Sequence, residues 1–406
     1  MIEYRIMMRT LILLSLAGLT LTSCARKDDA LAAGPDFPKR LQEALINAKP
    51  GAVIQLPEGK FDLDRELSLT VESVTIRGKG MDQTVLSFKN QKSGSAGLLA
   101  TGNGFTIEDL TIEDTKGDAL KINGSTGVTI RRIKTQWTGG PRETNGSYGI
   151  YPVQCKNVLI EDSVAIGASD AGIYVGQSRQ IIVRRNRAEF NVAGIEIENS
   201  TNADVENNVA TDNTGGLLIF NLPDLPVQGG SFTRVYGNQV YANNTPNFAP
   251  KGNIVAKVPA GTGIMVMSTH DIEIFKNTLK DNETSNVSML SYLTTGNPMK
   301  DAKYDPFVES ISIHDNIITG GGHKPAGRAA DLAPVLGSPV PSIIYDGVTR
   351  PKSENARICI HNNGDATFVD YDAPHQFKHP KRDLAAHACE LPALEAVRIE
   401  TTSARS

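Results

Sequence analysis

Four short segments in the middle of this 406-residue chain recur at an almost fixed interval. They are Gly149-Ile-Tyr-Pro-Val, Gly172-Ile-Tyr-Val, Gly194-Ile-Glu-Ile and Gly216-Leu-Leu-Ile, with glycine spacings of 23, 22 and 22 residues. A second set keeps step with the first. The runs ending at Ile130, Ile160, Val183 and Val205 each close ten residues after Leu120, Ile150, Ile173 and Ile195. A globular sheet has no reason to repeat β-type segments at one period. A solenoid does, because each turn of chain must present the same apolar positions to its neighbours. The spacing therefore predicts an all-β, right-handed parallel β-helix with coils of about 22 residues.

Period-2 alternation divides each coil into inward and outward positions. In one strand the inward pairs are Leu120/Ile122, Ile150/Pro152, Ile173/Val175, Ile195/Ile197, Leu217/Ile219 and Ile264/Val266. In a second strand they are Val128/Ile130, Val158/Ile160, Ile181/Val183, Ile272/Ile274 and Ile311/Ile313. Just past the second strand most coils carry an asparagine, at Asn186, Asn208, Asn238, Asn277 and Asn316. Five residues later comes another, at Asn191, Asn213, Asn243 and Asn282. Asparagine tolerates left-handed backbone and bonds a copy of itself one coil away, so these read as corner ladders.

A solenoid must also cover its first coil. Asp36 to Lys49, with Phe37, Leu41, Leu45 and Ile46 at helical spacing, reads as a capping helix ahead of strands at Ala52, Leu67, Val74 and Thr84. Insertions at Asn221–Thr233, Thr245–Gly261 and Ser285–Pro306 break the period and read as loops that build a binding surface. The β-helix domain is assigned to 36–320. Residues 321–406 are read as a C-terminal cap and tail that a Cys359–Cys389 disulfide is able to pin, with Cys155 left free.

Arg5 and Arg9 precede an apolar run from Leu11 to Leu21 that is short for a membrane span, followed by Leu21-Thr22-Ser23-Cys24. This resembles a bacterial lipobox. It implies a signal peptide over 1–23, a lipid on Cys24 and a tether over 24–35. Ala25 after the cysteine resembles outer-membrane sorting. The membrane is then reached through the anchor only. A net charge of −4 argues against nucleic acid, which calls for a basic face.

The stacked coils resemble the right-handed parallel β-helix superfamily of pectate lyases, polygalacturonases and mannuronan C5-epimerases, over roughly residues 37–320. More narrowly, the lipobox, Asp170-Ala-Gly-Ile-Tyr-Val-Gly-Gln-Ser, Gly194-Ile-Glu-Ile-Glu-Asn-Ser and Asp212-Asn-Thr-Gly-Gly-Leu-Leu resemble a family of exported β-helix repeat lipoproteins. That family has no settled activity, and its resemblance implies a secreted diheme c-type cytochrome as a partner. The epimerase Asp-Pro-His-Asp motif is absent, as is the polygalacturonase set of Asn-Thr-Asp, Asp-Asp and Gly-His-Gly. Arg132-Ile133-Lys134 resembles the latter's Arg-Ile-Lys, yet without the carboxylates it reads as an outward strand turn. No catalytic residue carries over.

The outward positions supply the candidates. Lys121, Tyr151, Tyr174 and Glu196 share one column, with Glu198 beside them and Gln154, Gln177 and Asn199 in a third column. At about 4.8 Å per coil they span a groove of a few sugar units. Aromatics stack on sugar faces, while amides and carboxylates bond hydroxyls; a solvated polar face is the plain alternative. Eliminative or epimerising chemistry on a uronate needs a base and a charge neutraliser. Tyr174, Tyr151 and Lys121 are the candidates for proton transfer and Arg142 for neutralisation. A hydrolase would instead draw on Asp170, Glu196 and Glu198. Met265, Met267 and His270 are a copper(I)-type ligand set, against the reading of two apolar residues and a surface histidine. No cofactor is established, and calcium or copper is without support.

The expectation is a lipid-anchored envelope β-helix that binds a polysaccharide, with uronate lyase or epimerase activity open. The alternative is a non-catalytic scaffold or maturation partner for the cytochrome.

Overall fold

The computed structural model describes residues 30–351 and 356–399. The signal segment and Cys24 lie outside the described residues. The chain winds into coils whose strands stack in parallel register. One face is an eleven-stranded sheet: Arg65–Leu69, Ser93–Ala100, Asp118–Asn123, Tyr148–Val153, Ala171–Gly176, Ala193–Glu198, Gly215–Phe220, Thr262–Met267, Ser285–Leu290, Ile343–Tyr345 and Phe368–Asp370. The remaining legs of each coil form a nineteen-stranded sheet. It bends in every coil where a short leg such as Val164–Ile166 follows a longer one such as Lys156–Glu161.

The register follows the sequence period. Ile150 pairs with Leu120 and Ile173, Ile195 with Ile173 and Leu217, and Ile264 with Leu217 and Val287. These side chains are 0–1% exposed. At about 1.5–3 kcal/mol for each fully buried aliphatic, this inward stack is the main source of stability. The helix Phe37–Ile46 closes the first coil through Phe37, Leu41 and Leu45, and the Phe37 ring lies 3.8 Å from Phe61. Ile46, expected on the buried stripe, is 65% exposed, because at about 100° per residue it falls on the face of the helix opposite Phe37.

Both asparagine ladders are present. Asn208 accepts from the Asn186 backbone N–H at 2.9 Å and from Asn186 Nδ2 at 3.0 Å. It donates to Val183 O at 2.9 Å and to Asn238 Oδ1 at 3.0 Å. The ladder runs on through Asn277 and Asn316 to Asn363. The second links Asn191, Asn213, Asn243 and Asn282. A third ladder went unread in the sequence. Cys155 N–H bonds Ser178 Oγ at 2.9 Å, and Ser178 N–H bonds Ser200 Oγ at 3.0 Å, so the buried free thiol of Cys155 occupies a rung of a serine stack.

Two boundaries differ from expectation. Ser285–Leu290 is a sheet strand, so the insertion there begins at Ser291. The coils also continue past Gly320. Ile343–Tyr345, Ile358–His361 and Phe368–Asp370 extend both sheets, and the repeat is hidden in sequence by the short helices Gly327–Asp331 and Ala333–Leu336. Cys359 and Cys389 are bridged, with Cα atoms 4.8 Å apart. Beyond the bridge the tail runs back over the nineteen-stranded sheet, where Glu273 and Asp204 accept from the backbone N–H groups of Leu394 and Val397.

Candidate functional site

The outward columns of the eleven-stranded sheet form as the alternation dictates. Tyr151 pairs with Lys121, Tyr174 with Glu196, and Glu196 with Leu218. The face they form is only partly open. Lys121 and Tyr151 are half-buried, but Tyr174, Glu196 and Glu198 are 4%, 1% and 6% exposed. The expectation that Tyr174, Glu196 and Glu198 face solvent is therefore corrected. The cause is the insertions, which fold onto the sheet instead of projecting from it. Val255, Val258 and Tyr292 pack with Leu218, Phe220, Met265 and Met267 in an apolar cluster on the outside of the sheet. Asn253 reaches back to donate to Asp170 Oδ2 at 3.1 Å. Tyr304 donates to Asn221 O at 2.5 Å.

Under that cover lies a cluster of three carboxyl groups and three tyrosines. The rings of Tyr148, Tyr151 and Tyr174 are mutually packed, with centroids 4.3, 4.7 and 5.0 Å apart. Tyr174 donates its hydroxyl to Glu198 Oε1 at 2.6 Å. Glu196 Oε2 is buried without a hydrogen-bond partner among the described residues. Burial holds all three carboxyls above the usual range, and repulsion between carboxylates adds to it at Asp170 and Glu196. Asp170 is pushed up to about 7 and Glu196 well above its ordinary value. Glu198 is also raised to about 7, chiefly by burial, with the Tyr174 hydrogen bond opposing. Burial likewise raises Tyr148 and Tyr174, and pushes Tyr151 to about 12. At about 7, Asp170 and Glu198 are divided between protonated and ionised forms near neutral pH, the condition in which one carboxyl donates a proton and another accepts one.

Toward the N-terminal end the face opens. Lys121 Nζ sits 4.7 Å from the Tyr151 ring centroid and 3.6 Å from Asp118 Oδ2. Burial raises Asp118 to about 6, with Lys121 opposing. Asp118 and Tyr148 were missed in the sequence. Both stand two residues before an inward residue, Leu120 and Ile150, where strict alternation would turn them inward, so the pattern carries no signal for them. Gly176 has a local role: a Cβ there would stand 2.2 Å from Tyr174 Oη, so the absent side chain leaves room for the ring to lie along its own strand and reach Glu198.

The other expected residues separate. Gln154 and Gln177 occupy left-handed corner positions, at φ 55° and 53°; Gln154 is exposed and Gln177 half-buried. Asn199, at φ 44°, shares that corner but is buried. It donates to Leu222 O and Val227 O at 2.9 and 3.0 Å, so it fastens the 221–230 insertion instead of facing a groove. Arg142 stands exposed in the corner loop before Tyr148–Val153, folded over Gly139 of its own loop. The Met265, Met267 and His270 set does not assemble. The methionines are buried on the outside of one sheet, whereas His270 starts a strand of the other and bonds Asp271 Oδ2 at 2.8 Å. Among the described residues no group of three or more His, Cys, Asp or Glu side chains is arranged to hold a metal ion.

Residues 73–232 match the sequence profile described as "Right handed beta helix region". No curated protein matches the chain. Among solved structures, the A-module of the Azotobacter vinelandii mannuronan C-5 epimerase AlgE4 is 18% identical, covering 79% of this chain and 90% of that one, with a TM-score of 0.49. A Paenibacillus alginate lyase is 15% identical over 70% of this chain and 98% of its own, with a TM-score of 0.33. The catalytic unit of a Streptomyces thermodiastaticus α-1,3-glucanase is 14% identical over 81% of this chain and 50% of its own, with a TM-score of 0.47. Likeness at that level does not extend to the side chains of a site. On its stacked parallel sheets and on the profile match over residues 73–232, this chain is a right-handed parallel β-helix protein.

Proposed function

We propose that this protein binds an extracellular polysaccharide along the open stretch of the eleven-stranded sheet at Lys121 and Tyr151, and that Glu198 and Asp170 perform acid–base chemistry on it. The observation that carries this reading is the burial of three raised carboxyls beside a half-exposed tyrosine–lysine platform on one sheet face. A platform of this kind stacks a sugar ring, and a protonated carboxyl at its edge protonates a glycosidic oxygen while a second one activates water or attacks. Tyr148 and Tyr174 pack against Tyr151, and Tyr174 joins this platform to Glu198.

The same residues favour a neutral glycan over a uronate. Elimination at a uronate needs a cation against the substrate carboxyl. Arg142 stands apart, and Lys121 is engaged with Asp118. In this reading the domain works at the cell envelope, held by lipid on Cys24. A second reading, a scaffold for the secreted diheme cytochrome, draws on the exposed apolar side chains of Val227, Leu293 and Met299 in the two inserted loops.

The test is a panel of neutral and acidic glycans, read by binding, by new reducing ends and by unsaturated uronide absorbance. Wild type is expected to bind a neutral glycan and release reducing ends, and Glu198→Gln to keep binding while losing release. Unsaturated uronides would replace hydrolysis with elimination. Absence of glycan binding together with tight cytochrome binding would establish the scaffold reading instead.

A further inference from the structure

A second concavity lies on the same sheet, farther toward the C-terminal coils, and has a different chemistry. It encloses about 690 Å³, within the range of small-molecule sites. Its floor is the outward face of four successive strands, at Phe220, Met265 and Met267, Leu290, and Ile344. Leu336 of the helix Ala333–Leu336 helps wall it. At about 4.8 Å per strand the floor is roughly 14 Å long, the length of about a dozen methylenes. Two cations, Lys257 and Arg328, stand exposed at its edge. Lys257 Nζ donates to Thr295 O at 3.0 Å, and Arg328 donates to Thr294 O. Neither is in an ion pair among the described residues.

We infer that this cavity is a binding site for a single-chain amphiphilic anion of the fatty-acid class, with its alkyl chain along the methionine floor and its carboxylate at Lys257 and Arg328. A sugar placed here would leave hydroxyls unpaired against a hydrocarbon wall. An alkyl chain has nothing to leave unpaired, and unbranched methionines adapt to its shape. The two unpaired cations supply the complementary charge at the open end, where solvent still reaches the head group. The inference is independent of the glycan reading, since it uses neither the carboxyl cluster nor the Lys121–Tyr151 platform.

Calorimetric titration of the full mature chain with octanoate, decanoate, dodecanoate and tetradecanoate, each below its micelle concentration, tests this. The dissociation constant is expected to fall about fourfold per added methylene and to level off near twelve carbons. Dodecanol is expected to bind at least about tenfold more weakly than dodecanoate. The double reversal Lys257→Glu/Arg328→Glu should remove that preference while leaving dodecanol unchanged, and Met267→Trp should block both ligands by filling the floor. If Met267→Trp does not fold, the chain-length slope and the charge reversal decide alone. No binding, an affinity independent of chain length, or equal affinity for acid and alcohol would each overturn the inference.

Discussion

The Tyr174 hydroxyl donates to Glu198 Oε1 across one coil at 2.6 Å, and both groups are buried on what alternation makes the outside of the sheet. A hydrogen bond to a desolvated carboxyl is worth more than one in water, and leaving the acceptor unpaired costs about 1–3 kcal/mol. Tyr174→Phe keeps the ring in the Tyr148–Tyr151–Tyr174 cluster and removes only the donor. It is expected to lower unfolding free energy by about that amount in urea and to move the Glu198 titration upward. Tyr174→Ala loses the ring as well and should cost about 3–5 kcal/mol. A ring facing solvent would instead be replaced with almost no change in melting temperature, so the pair of variants separates the two placements.

Gly176 makes that geometry possible, because a Cβ at its position meets the Tyr174 ring and hydroxyl at 2.2–2.5 Å. Gly176→Ala is therefore expected to push Tyr174 out of line with Glu198 and to cost about 1–3 kcal/mol, the usual cost of overpacking. A tyrosine fluorescence or ring-proton shift at Tyr174 should accompany it. An alanine variant with wild-type stability and an unchanged Tyr174 environment would contradict this arrangement.

The register and the inward stack were legible in the sequence, because period 2 within a strand and period 22 between coils leave one solution for residues such as Ile173 and Ile195. The asparagine ladders were legible for the same reason. Burial of the outward face was not. The Asp170–Asn253 contact joins residues 83 apart, and the insertion that makes it has no periodicity to read. Glu196 was thus correctly placed beside Tyr174 and wrongly given to solvent. The serine rungs at Ser178 and Ser200 carried a signal, since they align across coils. That signal is weak, because serine is common at turns whether or not it stacks.

The ladder makes a stability prediction. Asn208→Leu removes the acceptor for Asn186 N–H and Nδ2 and the donor to Val183 O. At about 1–3 kcal/mol for each buried group left unpaired, the loss should exceed about 3 kcal/mol in urea unfolding. A loss below about 0.5 kcal/mol would show that these bonds do not hold the coils together.

Lipidation is a separate expectation, resting on the lipobox alone. Cys24→Ser should release the protein from membranes or block its processing, read by fractionation and by the mass of the mature N-terminus. A substituted protein that is processed and stays membrane-bound would remove the anchor from the account.

The carboxyl cluster predicts the sign of the pH dependence. Asp170, Glu196 and Glu198 are all raised above their unfolded values near 4, the first and third to about 7. Between those limits the folded chain binds more protons than the unfolded one, so unfolding free energy falls as pH rises. The cluster's contribution is fully present below about pH 4 and is lost as pH climbs through 7. Depressed surface carboxyls such as Asp109 and Asp162, each paired with an arginine, act in the opposite sense and at lower pH. Comparing wild type with Glu196→Gln cancels them. The amide replaces one carboxyl at nearly the same volume, with no charge to desolvate. The variant should match wild type near pH 4.5 and exceed it by a margin that widens toward pH 8, because burial raises Glu196 well above its ordinary value and the amide carries no charge to desolvate. Thermal melts of both proteins across that range decide the matter: an offset that does not grow with pH would mean that Glu196 is not held protonated by its surroundings.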